Sequence, residues 1–223
     1  MLDALRTSSL RSLPDDRLEA LLLGGHVRFV ERGHTIQSEG DHPAPRLLIR
    51  GFVRVYRTAP DGRRITARYA RSGALLGISY QFSHLPVPDS GGLDALSPST
   101  MFDFDARTII ELAARDLLVA NALLAEASDR SISFEHVGAE MTFATMRQRV
   151  ARHVLDLADV DGDGHLVASI TQQELAEAIG SHREVVVRIL GDLRDDGFVE
   201  TDRRFIHVLD VEGLHGETYG RGR

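Results

Sequence analysis

Residues 169–198 read SITQQELAEAIGSHREVVVRILGDLRDDGF, and the fold turns on them. Thr171 and Glu174 stand in the T-x-x-E spacing of a capping box, in which hydroxyl and carboxylate each accept a backbone N–H that a helix start leaves unpaired. The spacing predicts a helix from about Gln172, with Leu175, Ala176 and Ile179 facing inward. Gly180 follows, and without a Cβ it is free to take the positive φ of a sharp turn. A second helix is expected from about His182 to Arg194, where Val186, Ile189, Leu190 and Leu193 recur at i, i+3, i+4 and i+7 and so pack against the first. Arg183, Glu184, Val187 and Arg188 share the opposite face. Ala176 is small where two helices cross closely, ten residues before Val186, a spacing common to helix-turn-helix motifs. An ordinary helical hairpin with a solvated charged face is the competing reading, and the polar, Arg-bearing second helix favours a motif that reads DNA.

The flanking residues supply the context. Arg183, Glu184 and Arg188 form an R-E-x-x-x-R pattern on the second helix. DGFVETDRRFIHVLD, residues 196–210, has the form of a strand, a polar turn and a second strand. LLIRGFVRVYRTAPDGRRITARYARSGALLG, residues 47–77, carries turns at Arg50-Gly51, Asp61-Gly62 and Gly73 between apolar runs. Together these residues resemble the CRP/FNR transcription regulators, which join a cyclic-nucleotide-binding β-roll to a winged helix-turn-helix. The resemblance covers about residues 13–213 and is most specific toward the carboxyl terminus.

The resemblance implies an α+β fold: an amino-terminal double-stranded β-helix, that is a jelly-roll-like β-roll, then a long dimerisation helix and a carboxyl-terminal winged helix-turn-helix. It places a cyclic-nucleotide-binding-like effector domain at residues 1–112, the dimerisation helix at 113–144 and the DNA-binding domain at 145–223, with the wing from Phe198 to Leu209. Arg183, Glu184 and Arg188 are then the base-reading residues. Gln172, Gln173, Ser181 and His182, at two helix starts, and Arg203 and Arg204, in the wing turn, are expected to position the phosphate backbone. The implied partners are double-stranded DNA, a second copy of the chain and RNA polymerase, with no membrane and no cofactor.

Composition fits this reading. A chain of 223 residues with 43% hydrophobic content has room for two modest domains. The start MLDALRTSSLRSL lacks the basic-then-apolar order of a signal peptide, and no apolar run reaches membrane-spanning length, so a cytoplasmic protein is expected. With no cysteine, disulfides, thiolate zinc sites and a cysteine-ligated iron–sulfur cluster of the FNR kind are excluded. A net charge of −7 argues against indiscriminate nucleic-acid binding, although a local basic face suffices for a specific site. All 26 basic residues are arginine. That reads first as compositional bias, although guanidinium is also the better bidentate partner of guanine.

A helical stretch is expected from about Ala106 to Ala158, and its apolar phase changes partway. Phe134, Val137 and Met141 make one stripe; Phe143, Met146, Val150, Val154 and Leu157 make another. Thr145 and Gln148 form a second capping box, which starts a new helix and sets a hinge near Phe143 to Thr145. By resemblance the first stripe is the dimer interface, and a two-fold dimer reads two half-sites.

The effector region departs from the family. Cyclic-nucleotide binders hold the ribose with a glutamate after a G-x-x-x-G turn and the phosphate with an Arg-Ser pair further on. Gly73 and Gly77 keep the turn, but the glutamate position is Ile78, and the Arg-Ser position falls on Pro88 or Asp89 with Ser90 and Gly91 following. An apolar side chain accepts no hydroxyl, and a carboxylate repels a phosphate. A pocket degenerate for cyclic AMP is expected, in a regulator without effector or in one that senses another small ligand or haem.

Three further patterns carry less. DVDGDGH at Asp159 to His165 resembles half of an EF-hand loop, but the closing glutamate position is Ile170, so the segment is read as a solvated turn after a helix. His26, His34, His42 and His84 lack any metal-ligand spacing, and no metal site is expected. No catalytic motif is recognisable, so an enzyme is not expected. A protein-interaction module without DNA binding remains the competing class, disfavoured by the Arg and Glu of the second helix.

Overall fold

The structure is a computed structural model that describes residues 1–62, 64–86 and 91–219, for residues 2, 136, 137, 139–142 and 219 the backbone alone. The chain divides into two units, Met1–Arg57 with Ala67–Glu135, and Thr58–Thr66 with His136–Arg223.

The first unit is a β-roll flanked by helices. Its strands are β1 His26–Val30, β2 Thr35–Gln37, β3 Arg46–Arg50, β4 Val53–Thr58, β5 Arg64–Ala70, β6 Leu75–Leu76, β7 Gly91–Ala95 and β8 Ser99–Asp103. They form two four-stranded sheets, in the orders β1-β8-β3-β6 and β2-β7-β4-β5. Strand alternation partitions the apolar residues. Leu48, Leu76 and Met101 from the first sheet pack with Ile36, Val53, Ala70, Leu93 and Ala95 from the second, closing the sandwich. Leu47, Leu75 and Phe102 point the other way, into a cluster with Leu5, Leu10, Leu18, Leu21, Ile109, Val119 and Leu123 from the helical segments. Those segments are α1 Leu2–Arg6, a 3-10 turn at Ser9–Ser12, α2 Asp15–Leu21, α3 Ala106–Arg115 and the start of α4 Leu117–Phe143. Gly77 shows why its turn needs glycine: φ is +71°, and a Cβ would stand 2.1 Å from the carbonyl oxygen of Ala44.

The helical stretch from Ala106 is three helices, one break more than its periodicity predicts. The additional break is at Asp116, whose Oδ1 accepts from the N–H of Leu118 (2.9 Å) and Val119 (3.3 Å) and so starts α4, while its Oδ2 takes a hydrogen bond from Arg17 Nε at 2.9 Å. The break at Ala144–Thr145 falls where the sequence places it. Thr145 accepts from Gln148 N–H and Gln148 accepts from Thr145 N–H, completing the capping box of α5 Met146–Leu157.

In the second unit, α5 packs on α6 Gln172–Ala178, α7 Arg183–Asp195 and α8 Val211–Tyr219. Val150, Val154 and Leu157 are buried, as their stripe requires, but Phe143 is 82% exposed because α4 ends on it before the α5 phase begins. Strands β9 Ala158–Val160, β10 Leu166–Ala168, β11 Val199–Thr201 and β12 Ile206–Val208 form one antiparallel sheet in the order β11-β12-β10-β9. The DVDGDGH segment is thus the tip of a hairpin rather than a turn after a helix. Asp161 Oδ1 accepts from the N–H of Asp163 and His165 (2.9 Å each), and Gly164 takes φ +86°. Those backbone donors hold the Asp161 carboxyl below the usual carboxylate range.

Candidate nucleic-acid interface

Helix α6 begins at Gln172 with its capping box complete: Thr171 Oγ1 accepts from Glu174 N–H at 3.2 Å, and Glu174 Oε2 accepts from Thr171 N–H at 2.8 Å. It ends at Ile179, and Gly180 turns the chain with φ +67°. Helix α7 then starts after His182, which contributes no side-chain cap; Val185 and Val186 N–H donate to His182 O at 3.1 and 3.3 Å, and the amides of Arg183 and Glu184 precede them at the helix start. Leu175, Ala176, Ala178, Val186, Ile189, Leu190 and Leu193 are buried between the helices and the domain core. That burial fixes which face of α7 is outward: Arg183, Glu184, Val187 and Arg188 are exposed, as the spacing predicts.

The wing turn lies between β11 and β12. Asp202 Oδ1 accepts from the N–H of Arg204 and of Phe205 at 2.9 Å each, and its own N–H donates to Phe205 O at 3.0 Å. These donors depress the Asp202 carboxyl and leave Arg203 and Arg204 exposed at the tip. Gln173 and His182 are exposed, whereas Gln172 and Ser181 are half-buried. The acidic residues near the far end of α7 are partly neutralised. Arg147 Nη2 donates to Asp196 at 2.5 Å and its Nε to Glu217 at 2.6 Å, and Arg194 pairs with Asp195 at 3.3 Å. A basic face on an acidic chain is therefore built by placing Arg183, Arg188, Arg203 and Arg204 outward while Asp196 and Asp202 are engaged within the domain.

Residues 148–216 match the family model described as a Crp-like helix-turn-helix domain. The transcriptional regulator LdrP of Thermus thermophilus is 32% identical over 181 residues, covering 76% of this chain and 85% of that protein. The chain belongs to the CRP/FNR family. Its members are DNA-binding transcription regulators rather than enzymes. The CRP-like cAMP-activated global transcriptional regulator of Mycobacterium tuberculosis is 28% identical over 195 residues, covering 82% of this chain and 84% of that one. A solved structure assigned to the crp/fnr family, from Eubacterium rectale, superposes with a TM-score of 0.77 at 20% identity over 94% of this chain and 97% of its own. The α+β architecture of β-roll, long helix and winged helix-turn-helix is therefore that of the family. No helix among the described residues is long and apolar enough to cross a membrane.

Two features of this CRP/FNR regulator were not legible in its sequence. Strands β9 and β10 extend the two-stranded wing into a four-stranded sheet, and the signal for them was the apolar pair Leu166-Val167 across a D-G-D-G turn from Val160. The second is His153 on α5, which burial, then the charges of Arg152 and Arg149, push down to about 4. A free histidine titrates near 6.5, so between about pH 6.5 and 4 the unfolded chain binds a proton that the folded chain does not. Stability contributed by neutral His153 is present above that window and lost as the pH falls through it. From pH 7 to pH 5 the loss is about 1–2 kcal/mol. Urea unfolding across this range should show a decline in wild type that is flatter by that amount in His153→Gln; parallel profiles would remove His153 from the account.

Of the residues expected in the effector pocket, Ile78 is 4% exposed and packs in the helical core cluster, while Asp89 and Ser90 lie outside the described residues. Of the expected dimer stripe, Phe134 is 65% exposed, and the side chains of Val137 and Met141 lie outside the described set. Exposed Leu117, Leu118, Leu124 and Ile132 stand on α4 together with Phe134.

Proposed function

We propose that the protein is a homodimeric, sequence-specific transcription regulator that reads an inverted-repeat operator and does not respond to cyclic AMP through the family's usual contacts. The observation that carries the reading is the outward face of α7, where Arg183, Glu184 and Arg188 stand exposed while Val186, Ile189, Leu190 and Leu193 hold the helix to its domain. Arginine takes both acceptors of guanine and glutamate accepts from the cytosine amino group, so each half-site contains G·C pairs in a TGTGA-like element. Gln172, Gln173, Ser181, His182 and the wing residues Arg203 and Arg204 set register on the phosphates. The apolar side chains on α4 pair with their symmetry mates, and RNA polymerase is the downstream partner.

Selection of bound sequences from a random DNA pool tests this. An inverted repeat with half-sites about one helical turn apart is expected. Recovery of unrelated sequences with no repeat would leave a protein-interaction module as the better reading.

The effector statement rests on Ile78. A buried isoleucine supplies no acceptor for a ribose hydroxyl, and each missing charged hydrogen bond costs about 1.5–3 kcal/mol. Although the mycobacterial relative is named as cAMP-activated, titration calorimetry with cyclic AMP or cyclic GMP should show no micromolar binding here. Micromolar affinity for either would mean that other residues hold the nucleotide.

A further inference from the structure

An apolar residue, Val187, is set into the charged face of α7. Its side chain is 41% exposed, whereas Val186 before it is fully buried in the row that holds the helix to its domain. Residues three and four apart on a helix are surface neighbours, with Cβ atoms about 5–6 Å apart, so Val187 lies beside Glu184 and Arg183, and Arg188 follows it in the chain. A helical side chain leans back over the turn before its own Cα, so the residue placed to shield Val187 is the one four positions on, and that residue is Gly191. A Cβ at Gly191 would meet nothing within 4 Å, so packing of the chain does not require glycine there, although glycine inside a helix is less favourable than alanine. Val187 is thereby left bare on its carboxyl-terminal side. Its branching also makes it stiff: one χ1 rotamer of valine dominates in a helix, so the methyl groups stand fixed before any partner arrives. Asp192 and Asp195 are exposed further along α7 and repel phosphate, which favours entry into a groove by the amino-terminal half, where Val187 lies.

We propose that Val187 is a specificity-determining residue that reads the 5-methyl group of a thymine in each operator half-site. The inference rests on the DNA reading proposed above and adds a base that the arginines and the glutamate do not address. A valine side chain neither donates nor accepts a hydrogen bond, and the apolar feature that base edges present in the major groove is the thymine methyl. Other base edges at that place would set polar atoms against the isopropyl group, where they lose water and gain no partner. A separation of about 5–6 Å from Arg183 spans one to two base-pair steps of about 3.4 Å, so the thymine stands within two steps of the guanine that Arg183 reads. A TGTGA-like element has such a thymine on either side of its first guanine. Because χ1 is already fixed, the contact orders little and methyl burial is retained as affinity.

The test is a deoxyuridine scan of the selected operator with the full chain. Each thymine of one half-site is replaced in turn by deoxyuridine, which lacks the methyl group and keeps the same hydrogen-bonding edge. At one thymine within two steps of a guanine, the wild-type chain should lose affinity about fourfold, the worth of one buried methyl-sized group. In Val187→Ala the ratio of thymine to uracil affinity at that position should fall to near one. Alanine is the better helix former and Val187 lies outside the core, so this variant keeps α7. Arg203→Gln, in the wing turn, should weaken binding to both operators alike and preserve the wild-type ratio. A scan that finds no methyl-sensitive thymine, or a Val187→Ala chain that keeps the wild-type ratio, would overturn the proposal. Its failure is distinguishable from failure of the DNA reading. A chain that selects no operator loses both, whereas an inverted repeat indifferent to methyl removal at each thymine leaves Arg183, Glu184 and Arg188 as readers and removes Val187 alone.

Discussion

Arg183→Ala is expected to reduce affinity for the selected half-site by about 1–3 kcal/mol and to relax preference mainly at one base pair. The magnitude follows from the bidentate geometry available to an exposed guanidinium at the first residue of α7, where the N-cap His182 makes no side-chain cap. Folding should be unaffected, because Arg183 makes no core contact and the buried face of α7 is carried by Val186, Ile189, Leu190 and Leu193. Arg203 and Arg204 provide the contrast. Replacing both should weaken binding to all sequences alike and reduce the slope of log affinity against log salt by about 0.9 per phosphate contact removed. Competition assays over a salt series with single-base operator variants separate the two behaviours. Uniform weakening by Arg183→Ala on every variant would assign Arg183 to phosphate and leave base reading to Glu184 and Arg188.

Phe134→Glu should have the largest effect on operator binding. Phe134 is 65% exposed on a 27-residue helix that also exposes Leu117 and Leu124, large apolar side chains that a lone chain has no reason to keep in water. Paired with its symmetry mate, the substituted carboxylate would be buried against a like charge, and the dimer should dissociate. One half-site then binds near the non-specific level, a loss of at least about 100-fold. Sedimentation should show a monomer whose circular dichroism at 25 °C is still that of the folded chain, since Phe134 lies outside the monomer core. A wild-type chain that is monomeric at concentrations where it binds the palindrome would defeat this account.

Elements whose signals are local can be read from the chain alone. Thr171 with Glu174 and Thr145 with Gln148 start helices within four residues of chain, and both capping boxes are present as spaced. Gly180 takes the positive φ that its position demands, and the i, i+3, i+4, i+7 row from Val186 to Leu193 is buried, which also sets Arg183, Glu184 and Arg188 outward. Where the outcome depends on residues far apart in the chain, three-dimensional packing settles it. Asp116 breaks the long helix with help from Arg17, 99 residues away. Ala158–Val160 is a strand because β10, itself paired to β12, offers it a sheet edge, while Ala158 and Asp159 have little strand preference of their own. The approach of Arg68 to the Glu126–Arg130 pair has no sequence signature, because a strand residue meets a helical pair far along the chain. Local backbone chemistry writes caps and turns into short spacings, whereas electrostatic clusters depend on the sum of distant packing choices that no short window contains.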